Sequence, residues 1–170
     1  MNNQNKKIKQ MAVIAITAAV YTVLTLGLAP ISYNGLRFAE VMNLLAFINP
    51  LYGIGIILGC FMSNIYSPFG LVDVVFGTLA SAFAIYMITR TKNLFVATLW
   101  PTVSCLLVGI EISLVGQTEI ISTTMSVMGG EFLVVTLLGF PIFYFIMKNK
   151  RLVYLLSLRA LGLGKDEPAQ

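Results

Sequence analysis

The sequence predicts an all-α integral membrane protein, a six-transmembrane-helix bundle with both termini in the cytoplasm. Three observations predict it. The chain is 58% hydrophobic and only 11% charged, whereas about a quarter of the residues of a soluble domain are charged. Apolar runs near the roughly 17–25 residues that span a bilayer follow one another along most of the chain. Basic residues stand at the ends of these runs, as signals of topology do.

Turn residues divide the apolar runs into helices of one membrane domain, residues 1–170. The predicted helices are 11–28, 40–48, 51–66, 71–89, 94–115 and 123–147, and a basic cytoplasmic tail, 148–170, follows them. The residue before a proline avoids the helical conformation, so Asn49-Pro50 ends the second run. Ser67-Pro68-Phe69-Gly70 is a turn. The first run lacks a small-residue cleavage site after it, so we expect a retained helix and not a signal peptide.

Residues 40–66 allow two interpretations, one kinked span or two segments that turn at Asn49-Pro50. Cytoplasmic loops collect Lys and Arg, and this asymmetry favours two. With six segments, only Arg37 of the eleven basic residues lies outside, whereas five segments would leave three inside and eight outside. The second helix is then short or steeply packed. The basic residues on the cytoplasmic side are Lys6, Lys7, Lys9, Arg90, Lys92, Lys148, Lys150, Arg151, Arg159 and Lys165.

Five of the seven acidic residues fall on the extracellular half of this topology, and the other two, Asp166 and Glu167, lie in the tail. Acids contribute little to orientation, so topology does not explain their placement. An ionisable residue in a membrane segment costs about 2.5–3.5 kcal/mol on insertion scales and usually faces a cavity or a partner. The five outer acids are Glu40, Asp73, Glu111, Glu119 and Glu131.

The same side holds further polar residues, namely Arg37, Asn43, Asn64 and Tyr66. They form either a polar cavity open to the outside or a structural network, for example Arg37 paired with Glu40 or Asp73. The cavity is favoured because one arginine cannot neutralise four or five acids, which leaves negative charge for a cationic or N–H-rich ligand. Glu131 is expected to be the deepest acid, about 10 Å below the outer start of its helix. The preceding Gly129-Gly130 either admits a ligand close to the backbone or forms a packing notch.

Missing residue types exclude several kinds of chemistry. The chain has no histidine, which excludes histidine catalysis and histidine metal sites. Cys60 and Cys105 lack the spacing of a metal site. Without a G-x-x-x-x-G-K-[ST] loop, the chain cannot hydrolyse ATP itself. The net charge of +4 is spread over helix ends and indicates no nucleic-acid patch. We therefore expect no metal and no cofactor. We also expect a substrate-capture site whose transport energy comes from another protein.

Four stretches carry a resemblance to a known family: 33–43, 53–68, 73–78 and 129–131. On these residues the chain resembles the QueT family, the substrate-binding (S) components of energy-coupling factor transporters for queuosine precursors. The resemblance implies a six-helix bundle with an extracellular substrate pocket in the bacterial plasma membrane. It also implies a membrane coupling protein (the T component) and two cytoplasmic ATPases as partners. Ala15 and Ala19 match the A-x-x-x-A strip that docks on the coupling protein.

The substrate that the resemblance implies is a 7-deazaguanine, either the 7-aminomethyl form or queuine. A guanine edge offers adjacent N–H donors to one carboxylate, and the side-chain amine suits a second carboxylate. We hypothesise Glu131 on the ring edge and Asp73 or Glu111 near the amine. Asn43 and Asn64 would meet the carbonyl and ring nitrogens, and an aromatic ring would stack. The full substrate-binding set is Arg37, Phe38, Glu40, Asn43, Asn64, Tyr66, Asp73, Glu111 and Glu131, with Phe38 or Tyr66 as the stacking ring.

Three alternatives stay open at this point. The first is the same class of subunit with another vitamin or purine as its substrate. The second is a structural membrane protein whose polar cluster is an internal network and binds no ligand. The third is a membrane enzyme, which the sequence favours least because it offers no second constellation of acid and base groups on the inner side. A neutral analogue such as guanine should bind much worse if the acids act as proposed.

Overall fold

All regular structure in the described part of the chain is helical. The structure, a computed structural model, describes residues 3–32 and 36–163, and these ranges contain no strand. The predicted all-α class is confirmed for them. Predictions for Tyr33, Asn34 and Gly35 and for the tail residues Lys165, Asp166 and Glu167 lie outside the described residues. The helices are α1 (Asn3–Gly27), α2 (Phe38–Ile48), α3 (Pro50–Asn64), α4 (Leu71–Arg90), α5 (Leu94–Gly116), α6 (Ile120–Lys148) and α7 (Lys150–Leu156).

Four of the described helices, α1, α4, α5 and α6, are long and apolar enough to cross a membrane by length and composition. The other two apolar helices, α2 and α3, are shorter. The 15 residues of α3 extend about 22 Å at 1.5 Å per residue, less than the roughly 30 Å of a hydrocarbon core. Large apolar side chains cover the outside of the bundle, for example Val23, Leu79 and Phe145, as expected of surfaces that face lipid.

The chain folds back on itself between α2 and α3. Asn49 adopts an extended backbone (φ −148°, ψ 123°), and its side chain accepts a hydrogen bond from the Leu51 amide. Pro50 takes the first helical position, where a missing N–H is tolerated. Ala46 Cβ lies 3.3 Å from the position that a Cβ on Gly53 would take. The proline break that the sequence indicates thus produces a tight helical hairpin.

Glycines bring α3 into backbone contact with α1. A Cβ on Gly55 would lie 2.6 Å from Thr17 Cβ, and one on Gly59 would lie 2.7 Å from the Ala18 carbonyl oxygen. Side chains cannot fit at such distances, so the two helices approach through the small residues, as membrane helices commonly do. Thr17, Ala18 and Tyr21 form the buried face of α1.

Two contacts set the antiparallel register of α5 and α6. Gly109 of α5 packs directly on Thr124 of α6, and the Thr136 hydroxyl of α6 donates to the Thr98 carbonyl at 3.2 Å. This register places Glu131 of α6 opposite Thr102, near the middle of α5. Glu131 is about 16 Å from the start of α6 at Ile120, deeper than the sequence predicts, because the helix begins three residues before the predicted one.

The residues directly after Glu131 are wound as a π-helix, Phe132–Gly139. This winding is rare and often occurs at functional sites. α2 packs against it: Leu44, Val134 and Val135 are buried together in an apolar cluster, and Leu44 lies close to Gly139. The π segment therefore lies where α2 meets α6, beside the polar residues described next.

Candidate functional site

Polar side chains gather inside the bundle where α1, α2 and α6 meet. Glu40, Asn43, Glu131 and Tyr21 expose 5% of their surface or less, and the Arg37 side chain exposes 24%. The charges of Glu40 and Arg37 both act on Glu131, which identifies the three as neighbours. The central cluster consists of Tyr21, Arg37, Glu40, Asn43 and Glu131.

The local winding of α2 aligns two members of the central cluster. Phe38–Leu44 is a 3₁₀ helix, which has three residues per turn, so that side chains at i and i+3 eclipse. Arg37 precedes this segment, and Glu40 and Asn43 follow at intervals of three residues. The side chains of Glu40 and Asn43 therefore project from one face of α2 toward the interior. Arg37, whose backbone is not helical (φ −107°, ψ 85°), reaches the same face through its ion pair with Glu40. In an ordinary α-helix, side chains three residues apart would differ in direction by about 60° around the helix axis.

Glu40 is fully engaged within the protein. Its Oε1 accepts a hydrogen bond from the Tyr21 hydroxyl at 2.6 Å and lies 3.6 Å from Arg37 Nη2. Its Oε2 accepts a short hydrogen bond from Asn43 Nδ2. The charge of Glu40 is therefore balanced by Arg37, and both of its oxygens have donors. Glu40 links α1 to α2 and leaves no free oxygen for a ligand in this arrangement.

The carboxylate of Glu131 differs from that of Glu40 in its hydrogen bonding. Both of its carboxyl oxygens are buried, and neither has a hydrogen-bond partner among the described residues. The same is true of Asn43 Oδ1, although the amide nitrogen of that side chain donates to Glu40. Burying an unpaired polar group is costly, and a charged one more so; such groups in a folded protein call for an explanation. The central cluster thus holds three buried acceptor atoms that lack donors.

A second polar group lies between α3 and α4. Asn64 Nδ2 donates to the Asp73 carbonyl oxygen at 3.1 Å and approaches Cys60 Sγ at 3.5 Å. Gly77 makes room, because a Cβ there would lie 2.6 Å from Asn64 Nδ2 and 2.9 Å from Asp73 Oδ1. The predicted residues Asn64 and Asp73 are therefore brought together, and the amide donor of Asn64 is already used. Cys60 also contacts the Ser81 hydroxyl at 3.1 Å.

Glu111 lies apart from Glu131. It is nine residues beyond Thr102 on α5, which corresponds to about 13 Å along the helix. Its carboxyl oxygens are buried and have no hydrogen-bond partner in the described part of the chain. A cavity of about 110 Å³ between α4 and α5 is lined by Glu111 and six apolar residues: Val72, Phe76, Leu107, Ile110, Leu114 and Val115.

The remaining predicted residues lie on the outside or in apolar packing. Tyr66 follows α3 and exposes 74% of its surface. Phe38 is partly buried and packs against the apolar cluster beside the π-helix. Ala15 and Ala19 are exposed on α1, on the side away from its buried face. Their positions leave both alanines accessible to another helix.

The sequence analysis does not single out Tyr21, which proves to be a member of the central cluster. The available signal is its place within the apolar run of α1, twelve residues after Lys9, the last basic residue before it. Tyrosines of membrane helices usually lie at the interfaces, and a buried tyrosine hydroxyl needs a hydrogen-bond partner. A tyrosine deep in a span therefore indicates a polar residue nearby on another helix.

A larger cavity, of about 490 Å³, lies at the far end of the bundle. Four segments line it, with Gln10 from α1, Asn49 from the α2–α3 turn, Thr89 from α4 and Ser157 after α7. Asn49 Nδ2 donates to the Ser157 carbonyl at 3.0 Å and so holds the C-terminal segment against the turn. The start of α1, the α2–α3 turn and the end of α4 therefore lie together.

Comparison with known proteins identifies the family. The sequence model described as QueT transporter matches residues 11–148. The chain belongs to the QueT transporter family. A relative from Lactococcus lactis subsp. cremoris (strain MG1363), named queuosine precursor transporter QueT, is 30% identical over 148 residues, which cover 76% of this chain and 87% of the relative. No solved structure matches the chain.

Family membership confirms the resemblance seen in the sequence. A transporter family and four helices able to span a bilayer make the chain a multi-pass protein of the plasma membrane. Its function is transport, and the matched region contains the whole central cluster, since residues 11–148 include every one of its five members.

Proposed function

We propose that this chain is the substrate-binding subunit of an energy-coupling factor importer. It captures a queuosine precursor, 7-aminomethyl-7-deazaguanine or queuine, outside the cell. The name of the Lactococcus relative supports the substrate. The observation that carries the proposal is the buried, unpartnered carboxylate of Glu131, because the N–H-rich edge of a deazaguanine supplies the donors that it lacks.

The residues of the proposed site contact two parts of the ligand, the deazaguanine ring and its side-chain amine. The carboxylate of Glu131 accepts the ring edge as a bidentate pair. The amine lies toward Asp73 or Glu111, whose positions nearer the outer ends of α4 and α5 suit a group that trails behind the ring. Phe38 or Tyr66 stacks on the ring, and Asn64 completes the wall beside Asp73.

The proposed topology has six membrane segments of one domain, residues 1–170, and both termini in the cytoplasm. The large cavity supports this orientation, because its walls bring the start of α1, the α2–α3 turn and the end of α4 to one end of the bundle. The basic residues near Lys9 and Arg90 then share the cytoplasmic side, in line with the preference of short cytoplasmic loops for Lys and Arg. The helical hairpin of α2 and α3 enters from one side and returns.

In this proposal the energy for import comes from other proteins. In the proposed complex a membrane coupling protein, the T component, transmits the work of two cytoplasmic ATPases, and the chain itself is not an enzyme. Ala15 and Ala19 form the docking strip on α1. Their exposure supports this role, since small residues one turn apart allow a partner helix to approach closely.

A tryptophan on the docking strip should stop uptake and spare binding. In cells that contain the whole transporter, Ala19→Trp is expected to lower uptake of radiolabelled 7-aminomethyl-7-deazaguanine at least ~10-fold, because the ring holds the partner helix away. Val20→Trp is the matched control: Val20 is also exposed and lies about 100° round the helix. Equal uptake by the two variants, or loss of ligand binding by purified Ala19→Trp protein, would contradict the docking role.

A further inference from the structure

We propose that the central cluster recognises the guanine edge with a fixed assignment of roles, which rests on the proposed function and extends it. Arg37 donates to the 6-oxo group. Glu131 accepts from the ring N1–H and from one hydrogen of the 2-amino group. Asn43 accepts the second 2-amino hydrogen through Oδ1. Glu40 is a positioning residue that holds Arg37 and Asn43 and does not touch the ligand.

The assignment follows first from which atoms are free. Asn43 Nδ2 donates one of its two hydrogens to Glu40, whereas the buried Oδ1 of the same side chain has no partner among the described residues, so the wholly unfilled atom of Asn43 is an acceptor. Asn64 Nδ2 is likewise given to the Asp73 carbonyl. The unpartnered Oδ1 of Asn43 matches an amino group and not a carbonyl, so the ligand carbonyl is assigned to a donor on another residue.

Arg37 is the donor that remains for the carbonyl. A guanidinium carries five N–H donors, and Nη2 of Arg37 lies 3.6 Å from Glu40, its ion-pair partner among the described residues. Arg37 also keeps 24% of its side-chain surface exposed, so part of the guanidinium is accessible. Arg37 and Glu131 both belong to the central cluster, so we assign the guanidinium to the group next to the N1–H on the ring.

The groups on a guanine edge are complementary in kind to these three side chains. The 6-oxo acceptor, the N1–H donor and the 2-amino donors follow one another along the ring. Arg37, the Glu131 carboxylate and Asn43 Oδ1 offer a donor and then three acceptor atoms. An adenine-type edge has an amino donor at position 6 and an acceptor at N1. The amino donor would face the Arg37 donor, and the N1 acceptor would face the Glu131 acceptor. Rejection of such rings follows from the unpaired polar groups left behind.

The test measures selectivity, which a purely structural role would not change. Calorimetric titration of the full, detergent-purified chain compares 7-aminomethyl-7-deazaguanine with its analogue that lacks the 2-amino group. Wild type is expected to prefer the amino compound about 30–300-fold, for two hydrogen bonds of which one is to a charged group. In Asn43→Leu this ratio should fall about 5–10-fold. In Thr124→Val, the matched control on α6, which also removes a buried polar atom without a partner in the described part of the chain, the ratio should stay at the wild-type value.

A second measurement applies if Asn43→Leu does not fold. Arg37→Gln is titrated with the same ligand and with the analogue that lacks the 6-oxo group, and the preference for the oxo compound should fall at least ~10-fold. An unchanged ratio in either variant, or an equal fall in Thr124→Val, overturns the assignment while the proposed function stands. Wild-type protein that is folded and binds neither compound overturns both.

Discussion

Replacement of Glu131 by glutamine is expected to remove tight ligand binding and to leave the ligand-free protein at least as stable as wild type. The carboxylate is 1% exposed, and no described residue donates to it. A glutamine amide would turn an NH₂ group toward ring N–H donors. The loss of a bidentate, charge-assisted pair corresponds to about 3–5 kcal/mol, or roughly 10²–10⁴-fold in Kd.

The expected stability of the ligand-free Glu131→Gln protein has a separate physical reason. A buried carboxylate without partners disfavours the folded state, and the amide removes the charge at nearly the same volume. Thermal unfolding of the purified protein, with and without 7-aminomethyl-7-deazaguanine, measures both effects. Glu119→Gln is the control, because Glu119 is exposed in the loop before α6. A Glu131→Gln protein that unfolds at a clearly lower temperature without ligand, or that keeps wild-type affinity, contradicts the account.

Replacement of Glu40 by glutamine is expected to have the opposite effect on stability. Glu40 balances Arg37 and accepts hydrogen bonds from Tyr21 and Asn43. Removal of one partner of a buried ion pair leaves the other charge uncompensated and costs about 3–5 kcal/mol. Because Arg37 keeps 24% of its side-chain surface exposed, solvent screens part of this cost, and we expect about 2–4 kcal/mol.

Tyr21→Phe provides the matched control for Glu40. It removes one hydroxyl and its 2.6 Å hydrogen bond to Glu40 but leaves the ion pair in place, so it should cost only about 1–2 kcal/mol. Thermal unfolding of ligand-free Glu40→Gln, Tyr21→Phe and wild-type protein compares the two changes. A Glu40→Gln protein as stable as Tyr21→Phe would show that the Arg37–Glu40 ion pair adds nothing to stability beyond the Tyr21–Glu40 hydrogen bond.

Hydropathy predicted which stretches form helices better than where the helices end. The first predicted helix begins at residue 11, whereas α1 begins at Asn3. A hydropathy pattern marks the part of a helix that lies in lipid, and Lys6, Lys7 and Lys9 continue the same helix beyond it. The break at Asn49-Pro50 was accessible from sequence because proline restricts its neighbour locally.

The winding of α2 was not accessible from the sequence. The run 40–48 predicts an ordinary short helix, but Phe38–Leu44 is a 3₁₀ helix. Nothing in the residue types requires three residues per turn, and the alignment of Glu40 and Asn43 depends on it. Packing against the π-helix of α6 is the tertiary contact that accompanies this winding, and such contacts override local propensity.

The structural-network interpretation of the acids describes Glu40, and the expected surplus of unpaired acids describes Glu131. The Arg37–Glu40 ion pair of the structural-network interpretation is present, whereas the carboxyl oxygens of Glu131 have no donor within the described residues. Counting one arginine against several acids correctly indicates surplus acceptors but cannot say which acid holds them. That choice depends on Tyr21, which lies 19 residues from Glu40 in the sequence and meets it only in the folded bundle.

Thermal stabilisation of the detergent-purified chain by 7-aminomethyl-7-deazaguanine, queuine and guanine, measured in parallel, tests the central claim most directly. A ligand that binds only the folded state adds about 2.7 kcal/mol at a hundredfold excess over Kd. The account predicts a clear shift with at least one deazaguanine and a much smaller one with guanine, which lacks the side-chain amine. No shift with any of the three, in protein shown to be folded, would contradict capture of a queuosine precursor by this chain.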